Sequence, residues 1–148
     1  MRISKDLGRL AGYDLERFLP EQDRVYDDVV DELRRGRKTS HWIWFIFPQI
    51  AGLGSSTLSR QFAIASVDEA RAYLAHPVLA ARLRECAQLL LAIDGRGAEE
   101  ILGSIDAMKV RSSMTLFHRA APDDPLFDAV LDRFYGGQPD PTTDGLLG

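Results

Sequence analysis

Residues 105–117 carry polar side chains at spacings that place them together on one face of a helix. Asp106, Lys109 and Ser113 stand at positions i, i+3 and i+7, so at about 100° per residue they share one stripe. Two apolar arcs flank the stripe, formed by Ala107, Val110, Met114 and Phe117 on one side and by Ile105, Met108 and Leu116 on the other. A helix with two apolar faces is expected at the centre of a core. Charge in that position must be paired, so we expect Asp106 to pair with Lys109.

Cations and hydroxyl groups on this helix suggest a pocket for an anion. Lys109 and Arg111 supply positive charge, while Ser112 and Ser113 supply hydroxyl donors. The competing interpretation is an internal polar network, with the long Lys and Arg stems reaching the surface. The sequence leaves both interpretations open.

A second candidate stretch, residues 34–44, reads Arg-Arg-Gly-Arg-Lys-Thr-Ser-His-Trp-Ile-Trp. Basic side chains followed by tryptophans are the combination that holds phosphates and stacks bases. His41 stands between the two groups and is the histidine to test as an acid, a base or a ligand. The apolar residues that follow, up to Phe47, indicate instead that the aromatic rings belong mainly to the core.

A third candidate is the glycine-rich turn Gly52-Leu-Gly-Ser-Ser56, which precedes a short predicted helix. Backbone N–H groups there, with the hydroxyls of Ser55 and Ser56, could hold a phosphate or a carboxylate. The third glycine of a dinucleotide fingerprint is missing, and no alternation of strands and helices surrounds the turn. A plain turn with a helix cap is the alternative.

The elements that must position these residues are predicted to be helices. Apolar residues at Val25, Val29 and Leu33 predict a helix over 21–35, and the Ser66–Glu69 capping box predicts another that begins at Val67. A third apolar stripe follows Pro77 and comprises Leu79, Leu83, Cys86, Leu90 and Ile93. We predict an all-α fold: a single compact domain of about six helices over residues 1–137, with at most one very short strand pair. Residues 138–148 are predicted to be a loosely ordered tail.

Composition narrows the class of protein. The 148 residues carry a net charge of −4, so the chain lacks the basic balance of a duplex-DNA-binding protein and nucleic acid is disfavoured as a partner. One cysteine and three scattered histidines predict no metal site. No apolar run is long enough to span a membrane, and no signal peptide is visible, which predicts a cytoplasmic protein. No cofactor is predicted, and a monomer is favoured.

Two long motifs resemble the signature of a bacterial family of small proteins of unknown function, often labelled calpastatin. They read Gly-Arg-Lys-Thr-Ser-His-Trp-Ile-Trp-Phe-Ile-Phe-Pro-Gln at 36–49 and Asp-Ala-Met-Lys-Val-Arg-Ser-Ser-Met-Thr-Leu-Phe at 106–117. The resemblance covers nearly the whole chain. It implies a small all-helical domain, and it brings no established activity and no catalytic residue. The calpastatin label has no physical support, because that inhibitor is a disordered repeat chain.

A fainter likeness concerns Thr39-Ser40-His41-Trp42. It is similar to a Ser-Glu-His element that opens an aromatic-rich segment in a small helical glycosidase-like family tied to NAD and ADP-ribose metabolism. Ser and His are adjacent here, so the acidic residue of that element is absent.

The leading hypothesis is therefore the binding, or the turnover, of an anionic nucleotide-like small molecule such as an ADP-ribose or NAD derivative. His41 is the catalytic candidate, and Trp42 or Trp44 would be the stacking surface. The candidate pocket residues are Lys38, His41, Trp44, Gln49, Ser55, Ser56, Lys109, Arg111, Ser112 and Ser113. Two alternatives stay open: a protein-interaction module that uses the Trp-rich segment, and a weak nucleic-acid binder that uses Arg34 to Lys38.

Overall fold

The computed structural model describes residues 12–148, and in this part of the chain every regular element is helical. A 3₁₀ turn, Leu15–Phe18, leads into α1. The helices are α1 (Leu19–Arg34), α2 (Ile43–Ile46), α3 (Thr57–Gln61), α4 (Val67–Ala75), α5 (Pro77–Leu91), α6 (Ala98–Leu102), α7 (Ser104–Ala120), α8 (Pro125–Tyr135) and α9 (Pro141–Leu147). The expectation about a signal peptide lies outside the described residues.

The predicted all-α single domain is confirmed, but the prediction of about six helices is wrong, because residues 12–148 form nine. The excess comes from short helices, since one or two turns give too few residues for a clear apolar period. Between 12 and 148 the single β-type pairing is an isolated parallel bridge between Ile50 and Ile64. Ala51 N–H donates to the Ile64 carbonyl and Ile64 N–H to the Gln49 carbonyl, each at 2.8 Å, which closes the base of the loop 51–63.

α7 is the central helix of the domain. It packs against α4, α6, α8 and α9, and α2 also contacts it. From Val110 onward its apolar side chains are buried, as the two-arc pattern predicts. Its first turns are different, because Ile105 and Met108 are 69% and 70% exposed. The expectation that both arcs are covered along the whole helix is therefore wrong at these two residues.

Aromatic rings connect the early helices to this centre. Tyr73 of α4 lies 5.1 Å from Phe18 and 5.3 Å from Phe117, measured between ring centroids, and Phe117 lies 5.8 Å from Phe127 of α8. Such tilted and edge-on pairs add about 0.5–1.5 kcal/mol each beyond the area they bury. The row of rings packs α4, the last turns of α7 and α8 against one another.

The C-terminal residues form part of the fold. Residues 141–147, within the segment that composition predicted to be loosely ordered, form α9, which packs on α7. Arg119 donates to Asp144 at 3.2 Å and to the Gly148 carbonyl at 2.7 Å. These contacts come from a distant part of the chain, so the composition of the segment could not show them.

Between residues 12 and 148 no helix is both long and apolar enough to cross a membrane.

Candidate functional site

The basic connector between α1 and α2, residues 35–42, is folded around one buried carboxylate, that of Glu32 on α1. Glu32 accepts hydrogen bonds from the backbone N–H groups of Thr39 (2.7 Å) and Ser40 (2.9 Å), from the Ser40 hydroxyl, and from Trp42 Nε1 (3.0 Å). Burial raises the pKa of Glu32, but these hydrogen bonds outweigh it and lower the pKa to about 2. The charged carboxylate thus holds the connector in one conformation and directs Lys38 toward α7.

Two segments far apart in the sequence meet at Asp106. Lys38 Nζ lies 2.7 Å from Asp106 Oδ2, and Lys109 Nζ lies 3.9 Å from Asp106 Oδ1. Each ammonium also faces a tryptophan: Lys38 stands 4.8 Å from the ring centroid of Trp42, and Lys109 stands 4.9 Å from that of Trp44. The expected Asp106–Lys109 pair is present, but the closer partner of Asp106 is Lys38, whose side chain is 5% exposed.

A cleft of about 430 Å³ opens beside this cluster, and we call it the Lys109 cleft. Its walls come from the loop before and within α3, from the first turns of α7 and from the start of α9. The lining residues are Gln49, Leu53, Gly54, Ser59, Ile105, Met108, Lys109, Ser112, Asp140 and Thr142. The cleft is the place where three separate parts of the chain expose polar and apolar groups together.

Lys109 supplies the cation of this cleft. Its side chain is 23% exposed, and its contact with Asp106 is at the long limit of an ion pair. The exposed side chains of Ile105 and Met108 stand on the same stretch of α7 and give the cleft an apolar wall. A partly shielded ammonium next to apolar surface can attract an anion strongly, because fewer water molecules screen the charge.

A neighbouring cavity of about 330 Å³ contains three more of the ten predicted pocket residues. Lys38, His41, Trp44 and Asp106 line it, and Ile105 lines both this cavity and the Lys109 cleft. Trp44 is half-buried, and its Nε1 is enclosed without a hydrogen-bond partner among residues 12–148. The structure therefore places six of the ten predicted pocket residues in two adjoining spaces, three in each.

The remaining predicted residues lie elsewhere. Arg111 faces a different cavity, beside α8, and donates to the carbonyls of Gln138 (2.9 Å) and Pro139 (3.0 Å). Ser113 is fully buried, and its hydroxyl finds no partner in the described part of the chain. Ser56 caps α3 by accepting from the Ser59 N–H at 3.1 Å, while Ser55 is exposed and lines neither the cleft nor the neighbouring cavity.

Sequence reasoning missed Asp140. Its Oδ2 accepts hydrogen bonds from the Thr143 N–H (2.9 Å), the Thr143 hydroxyl (2.6 Å) and the Ser112 hydroxyl (3.3 Å). Its own N–H donates to Thr115 Oγ1 at 2.8 Å. An Asp directly before a Pro is the signature of a helix start, so the pair Asp140-Pro141 was the available signal.

Residues 12–148 hold no group of three or more His, Cys, Asp or Glu side chains placed to bind a metal ion. Cys86 is buried among the apolar residues of α5, and burial raises the pKa of its thiol to about 12. Its burial agrees with its place on the apolar stripe that the sequence shows after Pro77.

Comparisons with known proteins agree with this architecture. The chain is similar to the conserved hypothetical protein Rv1873 from Mycobacterium tuberculosis, known from a crystal structure. The two share 51% identity with a TM-score of 0.89, over 90% of this chain and 96% of that one. No curated protein matches the chain. Residues 12–147 match the family model described as "Protein of unknown function (DUF1810)", and the chain therefore belongs to the DUF1810 family.

Proposed function

We propose that this protein binds an anionic, nucleotide-like small molecule in the Lys109 cleft. The observation that carries the proposal is the setting of Lys109. Its ammonium stacks 4.9 Å from the Trp44 ring centroid, pairs only loosely with Asp106, and opens onto a cleft with an apolar wall. A cation in that setting can bind a phosphate or a carboxylate group of a ligand.

The rest of the cleft suits a planar, partly apolar group attached to the anion. Leu53, from the loop that precedes α3, lines the cleft together with Ile105 and Met108, and Gln49 offers both a donor and an acceptor. Ligand sites in proteins combine mostly apolar walls with a few placed polar groups in just this way. A nucleotide would place its phosphate at Lys109 and its base against the apolar wall.

The neighbouring cavity extends the proposal to larger ligands. Ile105 lines both spaces, so a ligand that passes over it would reach Lys38 and His41. An ADP-ribose or NAD derivative has phosphates and rings enough to occupy both. Turnover would then depend on His41, which is exposed at that cavity and would act as the acid or the base.

A thermal-shift screen tests the proposal. The panel contains nucleotides, NAD, ADP-ribose and sugar phosphates, and the variant is Lys109→Met, which keeps the stem over Trp44 and removes the charge. A ligand at about 100 times its dissociation constant stabilises the protein by about 2.7 kcal/mol, which raises the melting temperature visibly. We expect a shift in the wild type that Lys109→Met abolishes.

The matched control is Arg37→Ala, because Arg37 is an exposed cation of the connector that lines neither space. It should keep the full ligand-induced shift. A panel without any shift, or an equal shift in Lys109→Met, would overturn the proposal.

The interaction-module alternative receives less support from the geometry. Trp42 is fully buried and donates to Glu32, so its ring offers no surface to a partner. Trp44 is half-buried under Lys109.

A further inference from the structure

We infer that Asp140 accepts hydrogen bonds from hydroxyl groups of the bound molecule, so the ligand of the Lys109 cleft is a phosphorylated polyol. The ribose of a nucleotide and the sugar of a sugar phosphate share this chemistry. The inference rests on the proposed function and adds the substrate class to it.

Only one of the two carboxylate oxygens of Asp140 forms hydrogen bonds within the described part of the fold. All of its hydrogen bonds within residues 12–148 go to Oδ2, which accepts from Thr143 and Ser112. Oδ1 accepts none from the described residues, and Asp140 lines the cleft together with Lys109. One oxygen thus caps the N-terminus of α9, and the other is free to bind solvent or a ligand.

Capping engages only one oxygen of this carboxylate. Asn caps a helix about as well as Asp, because a single side-chain oxygen is enough for the task. A carboxylate also adds a negative charge to a cleft whose cation is Lys109. That charge repels a bare phosphate or carboxylate ion, and an anion that covered Oδ1 without donating to it would leave the oxygen desolvated.

A ligand with hydroxyl donors removes this penalty. Its phosphate can pair with Lys109 on α7 while its hydroxyl groups donate to Asp140 at the start of α9, on a different wall of the cleft. Hydrogen bonds from a hydroxyl to a carboxylate belong to the strong, charge-assisted class. The two charged groups therefore orient the molecule and discriminate against anions that lack hydroxyls.

Calorimetric titration of the full chain tests the inference, with AMP, 2′,3′-dideoxy-AMP, ribose 5-phosphate and inorganic phosphate as probes. The wild type should bind AMP at least about tenfold more tightly than the dideoxy analogue, as expected for lost hydrogen bonds to a charged group. Asp140→Asn keeps an oxygen for the cap and replaces the second oxygen with a neutral amide, which can only donate to a hydroxyl oxygen. Because the charge-assisted hydrogen bond is lost, its preference for AMP should be clearly smaller than that of the wild type. Ribose 5-phosphate separates the contribution of the sugar from that of the base, and it should bind more tightly than inorganic phosphate.

Thr143→Val is the structural control. It removes one hydroxyl that donates to Oδ2 and leaves Oδ1 untouched, so it should lower the melting temperature without changing the preference for AMP. Equal binding of the two nucleotides by the wild type, lost in Lys109→Met, would overturn this inference and leave the proposed function standing. An undiminished preference in Asp140→Asn would also overturn it. No binding of any probe by the wild type would overturn both.

Discussion

Lys38 Nζ lies 2.7 Å from Asp106 Oδ2, although five helices separate the two residues along the chain. This ion pair attaches the basic connector to the start of α7. The connector in turn is fixed from its other side by Glu32. Lys109 and Trp44 thus belong to two segments, residues 32–44 and the start of α7, that this ion pair joins.

Removing the carboxylate of this pair should destabilise the fold strongly. In Asp106→Ala the Lys38 ammonium, with a side chain only 5% exposed, keeps just the Ser40 carbonyl and the Trp42 ring as partners. An ammonium buried without its counterion costs about 3 kcal/mol. We expect a loss of that size in the free energy of unfolding, measured by urea denaturation.

Lys38→Met is the partner experiment. It removes the buried charge itself, and Asp106 keeps Lys109 as a neighbour at 3.9 Å. Lys38→Met should lower the free energy of unfolding clearly less than Asp106→Ala does. The opposite order would contradict the assignment of Lys38 as the buried member of the pair.

The lowered pKa of Glu32 should make the stability of the protein depend on pH. Its pKa is about 2 in the folded protein against an ordinary value of 4.5, so the unfolded chain binds the proton more readily. The contribution of Glu32 to stability is thus fully present above about pH 5 and is lost as the pH falls toward 2. Its size is about 3 kcal/mol.

The measurement compares the wild type with Glu32→Gln by chemical denaturation between pH 7 and pH 2.5. The difference in the free energy of unfolding should be largest at neutral pH and should shrink steadily below pH 5. A difference that stays constant over this range would show that the charge of Glu32 contributes nothing.

Ser113→Ala should leave the protein as stable as the wild type or make it more stable. The Ser113 hydroxyl is fully buried and has no partner among residues 12–148, so the folded state carries its desolvation cost without a compensating bond. Removing such a group raises the free energy of unfolding by up to about 1 kcal/mol. Ser113 does not line the Lys109 cleft, so ligand-induced thermal shifts should be unchanged. A smaller shift in Ser113→Ala would show that Ser113 contributes to ligand binding.

Local signals in the sequence predicted the helices whose ends are marked by capping residues. Ser66 accepts from the Glu69 N–H at 3.1 Å, and α4 begins at Val67 as the capping box predicted. The Glu69 carboxylate, however, accepts from Ala65 N–H and from Arg17, which lies far away in the sequence. The pattern thus fixed where the helix starts but could not show what the acidic side chain contacts.

Features that depend on distant contacts escaped prediction. Periodicity could not separate a strand from a helix at residues 43–46, because four buried residues make only one turn. The role of Glu32 requires the connector to fold back on α1, and the exposure of Ile105 and Met108 depends on which side of the first turns of α7 the other helices cover. No local pattern encodes either arrangement. Of the predicted pocket residues, Gln49, Lys109 and Ser112 share the cleft, and Lys38, His41 and Trp44 share the adjoining cavity.

The parallel bridge between Ile50 and Ile64 has a consequence for how this family can diversify. It closes the loop 51–63 at its base. Phe62, near the end of the loop, is buried against Phe18 and Phe45, whereas residues 51–60 are mostly exposed. Leu53, Gly54 and Ser59 from this segment all face the cleft. Insertions and exchanges there are tolerated better than in a packed helix. Related chains can therefore acquire new ligand preferences by varying one short exposed segment, while the scaffold that folds the protein stays the same.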